Sequence, residues 1–501
     1  MAEPYYITTA ISYPNGRPHI GHAYEAIAAD AMARFRRAQG RDVRLVTGTD
    51  EHGLKMVQTA RAEGRDILEF ADEMSGYFRE MCGKLNISYD AFVRTSEPRH
   101  YEASAAIWKA MEANGDLYLD RYEGWYSVRD EAFYDVSELT EAENGEKLSP
   151  QGTPVEWTAE ETWFFRLSKY QEPLLALYRD NPDFIRPEGR RNEVVRFVEG
   201  GLKDLSVSRT RFNWGVPVPG SPGHVMYVWV DALTTYMTGV GFPEREGEFA
   251  RYWPADVHLI GKDIVRFHAV YWPAFLMSAG LPLPKQIFGH GFILAKGGEK
   301  MSKSLGNVVD PMGMAERYGV DALRYFLLRE VTFGQDGSYS HEAIVNRVNS
   351  ELANSFGNLA QRSLSMVFKN LDGVIPLPGD AEEDRALIAQ VNQACEDLER
   401  EFDRFSFSIG LEAWMGAVFA CNAYVDAAAP WTLKKSDPQR MAAVLGTLVA
   451  AVRKLAEAVN PVIPGSAGEL IALIDSGRNG APIAQPMPIF PRLELGEEAA
   501  A

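Results

Sequence analysis

The sequence predicts an α/β chain in which a parallel sheet is interrupted by an insertion and followed by a helical bundle. Three observations carry this. First, an apolar run from Tyr5 to Ile11 reads as a strand buried on both faces. A helical pattern follows, with an apolar stripe at Ala23, Ile27, Ala31 and Phe35, and then a second strand, Val43 to Thr47. Strand, loop, helix and strand in that order make a βαβ unit, which requires parallel pairing. Second, between Leu117 and Pro222 long periodic segments give way to aromatics and turn residues. Third, beyond about residue 343 nearly every segment repeats with the α-helical period of roughly 3.6 residues.

Taken in order, Ser12 to Pro18 is a loop, and a helix runs from His19 towards Gly40. The second strand ends in Gly48-Thr49-Asp50-Glu51-His52-Gly53, and another helix follows it. Helical patterns fill 66–85 and 100–115. The 117–222 stretch closes on Pro217-Val218-Pro219-Gly220-Ser221-Pro222-Gly223, a strong turn signal. The sheet resumes with Val225 to Val230 and with Val257 to Ile260 running into Gly261-Lys262-Asp263, and Gln286 to Leu294 is a further strand candidate. The bundle is read as Ala343 to Phe368, Ala381 to Phe402, Ser408 to Ala429 and Pro438 to Val459. Pro376, Pro378, Pro430, Pro461 and Pro464 punctuate it. The expected divisions are 1–116, 117–222, 223–294, 295–343, 344–477 and a tail, 478–501.

At 501 residues and 46% hydrophobic content the chain can bury large cores. Its net charge of −18 is the wrong sign for gripping nucleic acid with the whole surface, so any such role needs a local site. Cys82, Cys395 and Cys421 are scattered and read as free thiols in a reducing compartment. The N-terminus has no signal-peptide pattern, and the longest apolar run, Met441 to Val452, is too short to span a bilayer. A cytoplasmic location, away from membranes, is expected.

Two distant stretches carry the chemistry. Pro18-His19-Ile20-Gly21-His22 opens a helix after a strand. Its imidazoles fall at the positive end of the helix dipole, where exposed N–H groups attract anions. Lys300-Met301-Ser302-Lys303-Ser304 follows a glycine pair and reads as a lysine clamp on phosphates. Alone, H-x-x-H is an ordinary helix start, and a lysine-rich loop is a solvated turn. A zinc site at the histidines lacks a further ligand at a familiar spacing. Taken together the stretches suggest ATP handled by electrostatics. The glycine would let phosphates approach the backbone, the imidazoles would donate to charge developing on the α-phosphate, and Lys300 and Lys303 would neutralise the departing pyrophosphate.

These two stretches resemble the signature motifs of class I aminoacyl-tRNA synthetases. Within that class the chain is similar to the methionyl-tRNA synthetases at Ala10 to Gly16, Gly48 to Gly53, Val228-Trp229-Val230-Asp231-Ala232, Gly261 to His268 and Ala429-Pro430-Trp431. The likeness runs from about residue 5 to about 460. It implies a Rossmann-type catalytic domain and an α-helical anticodon-binding domain. It also implies methionine activation by ATP with Mg²⁺ and transfer of the methionyl group to tRNA(Met). By the same likeness His19, Gly21, His22, Glu25, Gly261, Asp263, Lys300, Met301, Ser302 and Lys303 would contact ATP. Ala10, Ile11, Tyr13, Asp50, Trp229, Ala232, Tyr236, Ile264 and His268 would hold methionine. Asp50 takes the ammonium in that scheme; a helix N-cap is the plain alternative for such an aspartate. Aromatic edges suit a thioether, although each ring alone is more often plain core.

Asn354, Asn358, Arg362 and Trp431 match anticodon-reading positions. The first three share a helix face by their spacing, and Trp431 follows the helix-breaking Pro430, where it could stack on a base or anchor the core. Many relatives carry a zinc knuckle in the insertion. Here Trp125-Tyr126-Ser127-Val128-Arg129-Asp130-Glu131 keeps its look without cysteine, Ser127 and Asp130 standing at C-x-x-C spacing, so no structural zinc is expected. The chain ends soon after its bundle, which suggests a monomer. Rival readings are weaker. The insertion is too short for the editing domain of the leucine, isoleucine and valine enzymes, and the thiols for the cysteine enzyme's zinc are missing. A metabolite nucleotidyltransferase would leave the helical half without purpose, and a non-catalytic tRNA-binding module would not need the intact histidines and lysines.

Overall fold

The structure, a computed structural model, describes residues 2–129, 132–142, 144–294, 309–477 and 479–495. The chain begins β1 (Pro4–Thr9), α1 (Ile20–Ala38), β2 (Asp42–Thr49), α2 (Leu54–Ala62), α3 (Ile67–Lys84), β3 (Ala91–Arg94) and α4 (Pro98–Ala113). It forms two compact units. One comprises 1–18, 39–83 and 87–290; the other comprises 19–38, 84–86 and 291–501. Thus α1, which links β1 to β2 in sequence, belongs to the second unit.

The first unit is built on a six-stranded sheet in the order β3, β2, β1, Val257–Gly261, Ile287–His290, Ile185–Arg186. Every pairing in it is parallel, as the βαβ reading requires. β1 is almost wholly buried, hence its largely apolar sequence. The insertion adds an antiparallel sheet centred on Leu117–Ser127 and Glu156–Phe165, with Trp157 exposed towards one end of the strand and Phe165 buried at the other. Two expectations change here. Ile185–Arg186, inside the predicted insertion, pairs with the main sheet. Val225 to Val230 is a short strand followed by the helix Val228–Thr238, because every residue from Val230 to Thr238 is buried and periodicity alone cannot separate a buried strand from a buried helix.

The second unit is mainly helical. Its long helices, Glu382–Phe402, Phe407–Ala428 and Pro438–Val459, match the sequence reading closely. The predicted helix over 343–368 is instead three pieces: His341–Arg347, a π-helical stretch Val348–Gly357, and Asn358–Asn370. Ser355 Oγ donates to the carbonyl of Ser350, five residues back, at 2.7 Å, which fits the wider turn. The segment expected to be a tail lies along this stretch. Asn349 exchanges two hydrogen bonds with the Leu493 backbone (2.9 and 2.8 Å), and Ile483 and Phe490 are buried. No described helix is long and apolar enough to cross a membrane.

Candidate active site

In the first unit, β1 and β2 stay paired past their carboxyl ends. The Ser12 N–H donates to the Gly48 carbonyl and the Asp50 N–H to the Ser12 carbonyl, each at 2.9 Å, and the Ala10 N–H reaches the Leu259 carbonyl at 3.1 Å. Ala10, Ser12 and Asp50 are therefore fixed at the carboxyl edge of the sheet. β1 is also where the strand order reverses, with β2 and β3 on one side and Val257–Gly261 on the other. Such a switch point opens the crevice in which parallel sheets bind ligands. Gly48 is required, since a Cβ there would lie 1.9 Å from the Val93 carbonyl oxygen. Asp50 does not cap α2: the cap position is Gly53, with no side-chain bond.

Three of the predicted methionine-binding rings, Trp229, Tyr236 and His268, form one connected set. On the helix Val228–Thr238, Trp229 stacks on Phe267 with centroids 3.9 Å apart and meets His268 edge-on at 5.9 Å. Tyr236, two turns further along, has its hydroxyl 2.6 Å from His268 Nε2. His268 Nδ1 lies 2.9 Å from the Ile264 carbonyl, an acceptor only, so Nδ1 carries the proton and Nε2 accepts from Tyr236. Burial holds the His268 pKa down at about 4, against the opposing pull of the Ile264 carbonyl. The ring is therefore neutral near pH 7. Ala10, Trp229 and Ile264 pack on the buried cluster that contains Tyr236, and Ala232 is buried on the same helix. Tyr13 packs on a separate small cluster of Met56, Ala60, Phe70 and Ala71, and its hydroxyl accepts from the Met56 N–H at 3.2 Å. Ile11 is half-buried beside Ala10 in the chain, and Asp263 is exposed just beyond Gly261.

In the second unit, His19 and His22 build the N-terminus of α1. The Gly21 N–H donates to His19 Nδ1, and the His19 N–H donates to His22 Nδ1, both at 3.1 Å. This is the reciprocal logic of a capping box carried out by two imidazoles. Because each Nδ1 accepts, the proton of each neutral ring sits on Nε2, and both rings are Nε2–H donors. The rings stack with centroids 3.8 Å apart. Gly21 has a local role beyond the expected one: a Cβ there would fall 2.9 Å from His19 Cε1, so only glycine lets that ring fold back over the first turn. Glu25 lies one turn further along α1 and is half-buried. Deeper in α1, Asp30 is held by the fully buried Arg324 at 2.6 Å, and the same guanidinium donates to the carbonyls of Leu85, Pro461 and Val462. Lys300, Met301, Ser302, Lys303 and Ser304 lie outside the described residues.

In the bundle, Asn354 and Asn358 are exposed, on the π-helical stretch and at the start of the next helix. Trp431 is 48% exposed, which rules out a core anchor. Ala429 adopts a left-handed conformation (φ 43°) at the end of one helix, and Pro430 starts the next, so the chain turns sharply just before the indole. The Arg362 guanidinium lies 5.6 Å from the Trp431 ring centre and 3.2 Å from Asp426. Arg362 and Trp431, 69 residues apart in sequence, are thus neighbours on one face.

A family model described as tRNA synthetases class I (M) matches residues 5–364, and one described as the anticodon binding domain of methionyl tRNA ligase matches 375–497. The methionine–tRNA ligase of Brucella suis is 56% identical over 511 aligned residues, covering 99% of both chains. The chain belongs to the class I methionyl-tRNA synthetases. The Mycobacterium tuberculosis methionine–tRNA ligase is 55% identical over 512 aligned residues, covering 98% of each chain. A crystal structure of the M. tuberculosis methionyl-tRNA synthetase bound by methionyl-adenylate superposes with a TM-score of 0.94 at 54% identity, covering 98% of this chain and all of that one. The apo form of that enzyme gives a TM-score of 0.89.

For a methionyl-tRNA synthetase, the knuckle in the insertion stands out by its donors. Ser127, Ser149 and Thr153 are buried, with hydroxyl contacts of 2.6 Å (Ser127 to Thr153) and 2.8 Å (Ser149 to Thr153). Neutral hydroxyls bonded to one another are poor zinc donors beside thiolate or imidazole. Asp130 and Glu131 lie outside the described residues. Three partners were not assigned roles from sequence: Phe267 under Trp229, Asp426 beside Arg362, and Asp231 between Trp229 and Ala232. Phe267 and Asp231 lie inside stretches that carry the family likeness, and position within those stretches was the one available signal.

Proposed function

We propose that the chain's methionine–tRNA ligase activity uses its residues as follows. The overall reaction is that of its family: ATP and L-methionine give methionyl-adenylate and pyrophosphate, and the methionyl group then passes to the 3′ end of tRNA(Met), for initiation and elongation, releasing AMP. Asp50 accepts the methionine ammonium in a charge-assisted bond. The thioether enters the slot made by Trp229, Ala232, Tyr236, Ile264 and His268, with Ala10, Ile11 and Tyr13 at its mouth. The observation that carries this reading is the neutral Tyr236–His268 pair, a polar but uncharged element in an aromatic cage. With its polar hydrogens paired internally, it leaves ring edges facing sulfur, a contact that leucine, of similar apolar bulk, cannot exploit.

His19 and His22 would present Nε2–H donors to the α-phosphate as charge develops there. Gly21, Glu25, Gly261 and Asp263 would contact ATP, with Asp263 accepting from ribose hydroxyls. Lys300, Met301, Ser302 and Lys303 would serve the pyrophosphate. Mg²⁺ would accompany ATP, bound through phosphate oxygens and water more than by a protein cage. Asn354, Asn358, Arg362 and Trp431 would read the anticodon, Trp431 by stacking on an unpaired base. The insertion would work without zinc, and the enzyme would act as a cytoplasmic monomer.

Amino-acid-dependent ATP–pyrophosphate exchange, run across the amino acids and followed by charging of tRNA(Met), tests the reading. Exchange that depends on methionine alone is the expected result; exchange with another amino acid, or none at all, would sink it.

A further inference from the structure

Asp50 is followed by two residues anchored in different places. The Glu51 carboxylate is gripped by Arg94 (2.7 and 2.9 Å), Ser96 Oγ (2.5 Å) and Thr49 Oγ1 (2.8 Å). His52 Nδ1 lies 2.5 Å from one oxygen of Asp231, and His100 Nε2 lies 2.6 Å from the other. The outer nitrogens are also held: His52 Nε2 by the Tyr101 hydroxyl at 3.1 Å and His100 Nδ1 by Thr238 Oγ1 at 2.9 Å. His52, His100 and Asp231 are all at most 2% exposed. The Asp231 carboxylate stays ionised: burial works against its charge, but the two imidazoles outweigh it.

An ionised carboxylate accepts only, so both imidazoles donate to it. The link therefore has direction and length, which a packed apolar contact lacks. Its place matters as much. Asp231 sits between Trp229 and Ala232 on the pocket helix, and His52 sits two residues beyond Asp50. We infer that His52, Asp231 and His100 are positioning residues that set the span between the ammonium partner Asp50 and the thioether slot. The inference rests on the reading of Asp50 proposed above.

The test compares methionine with 4-(methylthio)butanoate, which is methionine without its amino group. The exchange assay gives the KM for methionine and the inhibition constant of the analogue, for wild type, Asp231→Asn, His52→Gln and His52→Asn. In Asp231→Asn and His52→Gln, the KM for methionine rises about 10-fold and discrimination against the analogue falls in proportion, because a sub-ångström misplacement is costly. The KM for ATP stays at the wild-type value. His52→Asn, whose amide nitrogen can stand where Nδ1 stood, retains most of the discrimination. Should Asp231→Asn fail to fold, the two His52 variants carry the test. Folded variants that discriminate as wild type does, or whose KM for ATP rises in parallel, overturn the inference. A wild-type enzyme that ignores the missing amino group would instead overturn the Asp50 reading, and the inference with it.

Discussion

The proposed amino-acid pocket and the proposed RNA-reading face both combine aromatic and polar side chains, under opposite conditions. In the first unit Tyr236 and His268 are buried, and their polar atoms are paired with each other or with the backbone. In the second unit Trp431, Asn354 and Asn358 are exposed. The contrast follows from the ligands. Methionine is flexible and nearly featureless, so selectivity must come from a rigid, dry slot built in advance. An unpaired base brings its own π-face and hydrogen-bonding edge, so the protein need only offer a platform and adaptable amides. Substitutions in the pocket should therefore impair both half-reactions, and those on the RNA face only the second.

The sharpest way to break the comparison is Asp50→Asn. Leaving the methionine ammonium without its carboxylate should cut pyrophosphate exchange and charging together, by ~100-fold or more in kcat/KM for methionine. Loss of charging alone would put Asp50 in the wrong half of the contrast. Trp431→Ala is the mirror experiment. Loss of one stacked base should lower aminoacylation by roughly 10- to 100-fold with exchange preserved, whereas equal loss of both would mean a folding role for the indole.

A third experiment tests the dryness of the pocket. The His268 pKa falls from 6.5 to about 4 on folding. Between those values the unfolded chain binds a proton at this histidine and the folded one does not, so stability rises with pH across that window and is lost on acidification through it. The full effect is on the order of 3 kcal/mol. His268→Gln should flatten the pH dependence of urea midpoints between pH 4 and 7; an unchanged slope would mean that the ring is hydrated. The smallest effect is expected at the knuckle. Ser127→Ala should cost about 1 kcal/mol, and metal analysis of the purified protein should find no stoichiometric zinc.

Much of this was legible in sequence, and the exceptions share a cause. The strand ends carrying Ala10, Asp50 and Gly261 could be placed because a parallel sheet has a fixed polarity, so a strand followed by a helix shows which edge its last residue joins. The long bundle helices could be placed because their apolar stripes face one core. The helix Val228–Thr238 could not, because burial on all sides erases the period that distinguishes helix from strand. The π-helical stretch under Asn354 could not either, since Val348–Gly357 is too short for an apolar pattern to separate a π-helical from an α-helical period.

The sequence by itself marked candidate chemical sets: the two histidines around Gly21 by their place at a helix start after a strand, and Asp50, the aromatic pocket residues and the amides with Trp431 by their likeness to the family. Helix starts and strand ends are legible because backbone polarity and side-chain chemistry are local properties. Tertiary structure alone decided the pairings between distant segments: that Tyr236 faces His268 Nε2, what lies under Trp229, and that Asp231 is clamped between His52 and His100. Protonation and clamping depend on what faces a buried group, and those neighbours come from segments that only folding brings together.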